Sequence, residues 1–281
     1  MPRLLLILLL GLFTIHGQAQ TKVTAMSFNI RLDVDSDGEN KWSLRKGKVA
    51  GLMNYYAPDF IGAQEVQHHQ LEYLLSQLKQ YRFIGVGRDD GKTGGEYSCI
   101  FYNAEKYTVV KQSTFWLSAT PDVVSRGWDA ACNRVCTYGL FRSNTTRKLF
   151  WVFNTHLDHM GVTARRESVK LITERIHQLN KGLNYPVILM GDFNSGPEDE
   201  PVRIIKSFLV NTREESKTSP YGSFDTWNAF KFHEKPDGCI DYIFVSKGTG
   251  IIVQKFATIT DSYDLKYPSD HFPILSQLLL K

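Results

Sequence analysis

Eight polar residues of this chain belong to the types that move protons, hold hard cations or grip phosphate, and each falls at or near the boundary of an apolar run. They are Asn29, Glu65, His156, Asp192, Asn194, Asp241, Asp270 and His271. Glu65 and Asp270 are hard oxygen donors, the kind that suits Mg²⁺ or Mn²⁺ with several waters retained. His271 beside Asp241 would be an oriented imidazole whose other nitrogen is free to act on a substrate. Asp192 could hold or deprotonate a water, while Asn29, Asn194 and His156 could donate hydrogen bonds to phosphate oxygens. A cation, a positioned water and a set of donors form the equipment for hydrolysing a phosphate ester. Singly, each residue has an ordinary explanation: Asp and Asn are common where strands enter turns, and a Glu suits a helix N-terminus. Six strand-associated sites spread from residue 29 to residue 271 instead suggest one cleft at the sheet edges.

Apolar periodicity supplies the elements that must position these groups. "VTAMSFNI" (23–30) reads as a strand ending near Asn29, and "DFIGAQEV" (59–66) as a second, ending in Gln64-Glu65. Between them "SLRKGKVAGLMNYYA" sets Leu44, Val49, Leu52, Met53 and Tyr56 at helical spacing, closed by Pro58. A short helix is expected at 69–78, then strands near 82–86, 97–102, 107–111, 134–141 and 148–155. Residues 163–179 form the clearest helix, with Val169, Ile172, Ile176 and Leu179 on one side. A strand at 186–191, a short helix at 201–209 and strands at 239–245, 251–259 and 273–279 complete the chain. In "VILMGDFNSGPEDEP" (187–201) an apolar run stops at Asp192, and strand alternation points Asn194 the same way. Strands outnumber helices, and several connections are too short for helical crossovers. That argues against a Rossmann-type sheet and for an α/β arrangement of two mixed sheets packed face to face, helices outside.

The 281 residues suit one large α/β domain or two small ones. Residues 1–20 read as a secretory signal peptide: Arg3, an apolar run from Leu4 to Phe13, then Gly17-Gln18-Ala19 as a small-x-small cleavage site. The run is too short for a comfortable membrane span. Residues 21–281 are therefore expected to act as one exported domain, periplasmic or extracellular, with no stable membrane insertion. Removing the leader removes Arg3 and no acid, so the formal charge falls from +4 to +3. Such a charge permits anionic substrates but is below the footprint of a dedicated DNA binder. Cys99, Cys136 and Cys239 lie in strand-like apolar runs and, with Cys132, are expected to be free thiols. There is no GxSxG, GxxxxGK[ST] or HExxH, which disfavours serine-hydrolase, P-loop and zincin chemistry.

The segments "SFNIR", "AQEV", "NTHLDH", "GDFN", "IDYIF" and "SDHFP", in that order, resemble the endonuclease/exonuclease/phosphatase superfamily with its DNase I-like fold. The resemblance implies a four-layered α/β sandwich with one divalent-metal site between the sheets. It implies that Glu65 is the main ligand for Mg²⁺ or Mn²⁺, with Asn29 and Asp270 beside the metal. Asp192 would position or deprotonate the attacking water, Asn194 and His156 would hold the scissile phosphate, and Asp241 would orient His271. "DGENKWSLRK" (37–46), "RGWDAACNRVCTYGLF" (126–141) and "ARRES" resemble the bacterial, deadenylase-like branch, where Arg134 would contact phosphate. Trp42, Trp128 and Trp227 are expected to line the substrate cleft, since aromatic faces suit bases or sugars. One departure is Cys239, where relatives often carry Arg before "IDYIF". The expected activity is phosphodiester hydrolysis, with nucleic acid as the leading substrate. A phospholipid, phosphoinositide or small phosphoester is the alternative, and a non-catalytic binding protein a remote one.

Overall fold

The computed structural model describes residues 20–281. Apart from Gln20, the expected leader lies outside the described residues. Two six-stranded mixed sheets pack face to face, with helices on both outer surfaces. This is the four-layered α/β sandwich the sequence led us to expect.

The first sheet contains β1 (Thr21–Asn29), β2 (Phe60–Val66), β3 (Tyr81–Ile84), β4 (Tyr97–Asn103), β11 (Ile251–Thr258) and β12 (Ile274–Leu280), in the order β11-β12-β1-β2-β4-β3. The second contains β5 (Tyr107–Trp116), β6 (Val135–Ser143), β7 (Leu149–His156), β8 (Val187–Asp192), β9 (Leu209–Asn211) and β10 (Asp241–Ser246), in the order β5-β6-β7-β8-β10-β9. Each sheet has one parallel pair at its centre, β1 with β2 and β7 with β8. Both pairs are joined through helices, as parallel neighbours require. Helices α1 (Trp42–Tyr56) and α2 (His68–Gln77) cover the first sheet; α3 (Val162–Asn180) and α4 (Glu200–Phe208) cover the second.

Strand alternation sorts the core into three layers. In β8, Val187 and Leu189 face α3 and α4, where they meet Val169, Ile172, Ile176, Val202 and Ile205. Ile188 and Met190 face inward, meeting Phe60, Ile100, Val152 and Ile243 between the sheets. A third layer lies under α1 and α2, built on Met26, Phe28, Ile61 and Leu74. Strands buried on both faces lose the apolar–polar alternation, which is why "VILM" is continuous.

Three local readings need correction. Leu44, expected on the buried side of the first helix, is 59% exposed, whereas Trp42 and Arg45 are buried. Strand β5 continues five residues beyond the expected 107–111, to Trp116, and carries a bulge between Val109 and Lys111. The helix near 201–209 ends at Phe208, and the three residues after it form the edge strand β9. All four cysteines are free, with only Cys132 partly exposed. Among the described residues no helix is long and apolar enough to cross a membrane.

Candidate active site

The register of the second sheet aligns half of the site. His156 pairs with Asp192 and Asp192 with Asp241, so the three residues form one row across β7, β8 and β10. Gly191 permits this close approach: a Cβ there would lie 2.3 Å from the Thr155 carbonyl oxygen. The first sheet contributes Asn29 from the end of β1 and Glu65 from a bulge in β2. There Gln64 and Glu65 lie between the paired residues Ala63 and Val66, opposite the single residue Ser98 of β4. A bulge of this type re-aims a side chain. It turns Gln64 between the sheets and Glu65 to the cleft. Glu65, Asn194 and Arg31 all have φ between 44° and 60°, a left-handed conformation costing an ordinary residue about 1 kcal/mol or more.

These residues bond to one another across the sheets. Asn29 Nδ2 donates to Glu65 Oε1 and to Asp192 Oδ2, each at 3.0 Å. The Leu32 amide donates to Glu65 Oε2 at 3.0 Å, and the Asn194 amide to Asp192 Oδ1 at 2.9 Å. Asn194 Nδ2 lies 3.0 Å from His156 Nε2 and also donates to the Leu157 carbonyl. His156 Nε2 also lies 3.4 Å from Asp192 Oδ2, while its Nδ1 is buried with no hydrogen-bond partner in the chain. His271 Nδ1 lies 2.9 Å from Asp241 Oδ2, and its Nε2 3.8 Å from Asp192 Oδ2. Asp270 precedes it in the loop before β12.

Burial and charge give the two histidines opposite states. Burial opposes charge on His271, but Asp241 and Asp192 outweigh it and hold the imidazole well above the ordinary histidine range. Burial, reinforced by Arg134 and Arg88, holds His156 well below that range, neutral. Asp192 is pushed up to about 7, first by burial and then by Asp241. Burial also raises Asp270, aided by the Glu65 carboxylate.

Besides Cys132, Asp158 and His159, whose carboxylate is already taken by three backbone amides, two sets of donors invite a cation. In the first, Asp192, Asp241 and His271 present ligand atoms within 4.8 Å of one another. That set is a hydrogen-bonded relay, however, and a protonated imidazole offers no lone pair to a metal. The second set is Glu65 and Asp270. Arg31 Nη1 lies 3.9 Å from Glu65 Oε2 and 3.8 Å from Asp270 Oδ2, so both carboxylates converge on one positive charge. Hard oxygen donors around a cationic position fit Mg²⁺ or Mn²⁺. Asn29 reaches this position as a donor that fixes Glu65, with its own oxygen turned to the Arg31 amide at 3.0 Å.

Glu65, His156, Asp192, Asn194, Asp270 and His271 line a cleft of about 720 Å³ together with Arg31, Asp37, Arg88, Glu96, Cys132, Arg134, His159, Trp227 and Phe230, with Asn29 and Asp241 behind them. Of the expected substrate contacts, Arg134 and Trp227 line it; Trp42 and Trp128 do not. Trp42 is a core residue 5.9 Å edge-on from Tyr73, because the first turn of α1 faces inward. Trp128 lies on a separate groove along α3, beside Pro121 and Leu171.

Several structural partners escaped the sequence reading. Asp37 grips Arg31 through two bonds of 2.8 and 3.0 Å. Arg45 donates to the backbone carbonyls of Ile30, Arg31, Leu32, Asn40 and Pro268, tying together the loops that carry Asn29 and Asp270. Both lie within "DGENKWSLRK", a segment singled out with no role attached to these side chains. Asp158, within "NTHLDH", accepts the amides of Ala131, Met160 and Gly161 and faces Arg134 Nε at 3.4 Å. Arg88 and Glu96 stand in a glycine-rich loop that had no recognisable signature.

The Endonuclease/Exonuclease/phosphatase family model matches residues 26–271. Among solved structures, the chain is similar to a family protein from Bacteroides thetaiotaomicron, at 36% identity with a TM-score of 0.89, covering 94% of this chain and 99% of that one. It is also similar to a mannosyl-6-phosphatase from Bacteroides thetaiotaomicron VPI-5482, at 38% identity with a TM-score of 0.87, covering 91% and 99%. A Saccharomyces cerevisiae probable RNA exonuclease is 25% identical over 174 residues, 57% of this chain and 34% of that protein. The chain spans between about a third and two thirds of the length of the curated relatives it matches first. With the match spanning nearly the whole described chain, the protein belongs to the Endonuclease/Exonuclease/phosphatase family.

Proposed function

We propose that this protein is a Mg²⁺- or Mn²⁺-dependent phosphatase that releases inorganic phosphate from a small phosphorylated sugar, acting after export and removal of residues 1–20. The observation that carries the reading is the pairing of charges in the cleft. Arg31 is bound to Asp37, Arg88 to Glu96 and Arg134 to Asp158, and no lysine is among the lining residues. A polynucleotide track would need cations free to neutralise successive phosphates. A cleft with its cations already paired suits one phosphate with a neutral polar body. The 38% identity to a mannosyl-6-phosphatase over 91% of this chain supports the same choice.

Glu65 and Asp270 would hold the cation, which when bound supplies positive charge to the phosphate oxygens in the transition state. Asp192, fixed at both oxygens by Asn29 and the Asn194 amide, is basic enough to take a proton from the attacking water. His271 donates Nδ1–H to Asp241 and keeps its Nε2–H for a phosphate oxygen. Neutral His156 lines the cleft beside Asn194 and Asp192.

A nuclease is the second reading, favoured by the similarity to a probable RNA exonuclease. A panel of mannose 6-phosphate, p-nitrophenyl phosphate, a bis-aryl phosphodiester, poly(A) and single-stranded DNA, with Mn²⁺ and with chelator, separates the two. Metal-dependent phosphate release from the monoesters is the expected outcome. Cleavage confined to poly(A) or DNA would replace the phosphatase reading with the nuclease one.

A further inference from the structure

The phosphate machinery occupies only part of the cleft, and the remaining wall is built with unusual care. Arg88 and Glu96 form a two-bond pair, Nη1 to Oε2 and Nη2 to Oε1, both at 2.8 Å. Their side chains are only 14% and 15% exposed. Arg88 Nε, 4.0 Å from Asp89 Oδ1, and the Nη1 of nearby Arg134 are buried polar atoms with no hydrogen-bond partner in the chain. A buried donor without a partner carries a penalty that a ligand acceptor would relieve.

The loop carrying the pair is preorganised. Arg88 N donates to Glu96 O at 3.1 Å, Asp89 N to Gly94 O at 3.0 Å and Gly87 N to Lys92 O at 2.9 Å. Trp116 Nε1 fixes the Arg88 carbonyl at 2.7 Å. Gly87 crosses Gly94 so closely that a Cβ would sit 2.3 Å from its carbonyl oxygen. Trp227 also lines the cleft, 41% exposed and joined to His271 by an antiparallel bridge. Trp227 and His271 line the same cleft.

We infer that Arg88 and Glu96, with Trp227 beside the phosphate site, form a recognition subsite for the hydroxyl groups of a sugar ring. The inference rests on the phosphatase reading and deepens it by naming what selects the substrate. Because the guanidinium charge is matched by the carboxylate, the pair has no net charge to offer a second anion. It offers donors and acceptors side by side, the pattern that vicinal hydroxyls match. Sites built to bond hydroxyls reject analogues lacking them, since the protein groups are then left unpaired.

The test compares mannose 6-phosphate with p-nitrophenyl phosphate, which lacks hydroxyls, for the wild type, Glu96→Gln and Arg88→Met. The expected result is that the ratio of kcat/KM for the sugar phosphate to that for the aryl phosphate falls about 30-fold or more, mainly through a higher KM for the sugar phosphate. A ratio unchanged from wild type, with activity on both substrates falling together or not at all, overturns the subsite and leaves the phosphatase reading standing. Wild-type enzyme inactive on both monoesters overturns that reading and the subsite with it. Should Arg88→Met leave Glu96 too destabilised to fold, the double variant Arg88→Met/Glu96→Met removes both charges and carries the same expectation.

Discussion

Asn154 offers a quantitative test of how the fold delivers Glu65 to the cleft. It lies fully buried between the sheets, two pairs back from the His156–Asp192 row. Its Nδ2 donates to the carbonyls of Ala63 at 2.9 Å and Cys99 at 2.8 Å, residues paired immediately before the β2 bulge. Its Oδ1 accepts from Gln64 Nε2 at 2.6 Å. In Asn154→Ala, Gln64 keeps bonds to Ser27 Oγ and the Gly62 carbonyl, and the paired residues Ala63 and Cys99 keep the ladder between β2 and β4, so the variant loses three buried hydrogen bonds without stranding a backbone group. At about 1 kcal/mol for each bond, the loss is about 3 kcal/mol. For a chain of this size that corresponds to a fall in Tm of about 6–12 °C. Thermal and urea unfolding of wild type and Asn154→Ala measure it. Asn54→Ala is the control, since it removes one exposed 3.3 Å bond to the Gln77 carbonyl and should cost less than about 0.5 kcal/mol. Mn²⁺ affinity should weaken in Asn154→Ala alone, because the loosened bulge no longer holds Glu65. A Tm within about 2 °C of wild type would refute the claim that this amide completes the bulge.

Two further outcomes follow from buried charges. Burial opposes the ionised form of Asp158, but the amides of Gly161, Ala131 and Met160, together with Arg134, more than offset it and hold the carboxyl below the usual carboxylate range. A depressed folded pKa adds stability above the unfolded value of about 3.9 and loses it as pH falls through that window. The stability advantage of wild type over Asp158→Asn should therefore be large at pH 7 and shrink by pH 3; an advantage independent of pH in urea melts would contradict this. Arg45→Met removes five bonds to backbone carbonyls and stacking of the guanidinium 5.2 Å from Trp42 and 5.7 Å from Phe230. It should cost about 3 kcal/mol or more and raise the Mn²⁺ concentration needed for half-saturation, read by direct metal titration; unchanged metal binding in a folded variant would refute its positioning role.

The order of strands and the row of polar residues at their ends were legible in the sequence because both follow local rules. Apolar runs stop where a strand leaves the core, so Asp192 announces itself as the first polar residue after such a run, and His156 closes the polar triplet Asn154-Thr155-His156 after another. Glu65 was legible as a carboxylate after "DFIGAQ", but the bulge that aims it was not, since a bulge is a property of pairing with β4. The same limit explains Arg45. An arginine on a helix reads as solvated, and only the assembled loops reveal five carbonyls converging on its guanidinium. Trp42 and Trp128 failed for the complementary reason: an aromatic residue carries no local mark that separates core from cleft. The Arg88–Glu96 pair was invisible because its glycine-rich loop has neither apolar period nor a known motif. Strand β9 was lost to the end of α4, where three edge residues cannot establish an alternation.

The most direct test of the central claim, that this cleft hydrolyses phosphate esters through Asp192, compares phosphate release from mannose 6-phosphate by wild type and Asp192→Asn at saturating Mn²⁺, with both proteins checked for equal Tm. The account requires a fall in kcat of about 10²–10⁴-fold in the folded variant. Activity within tenfold of wild type would contradict it.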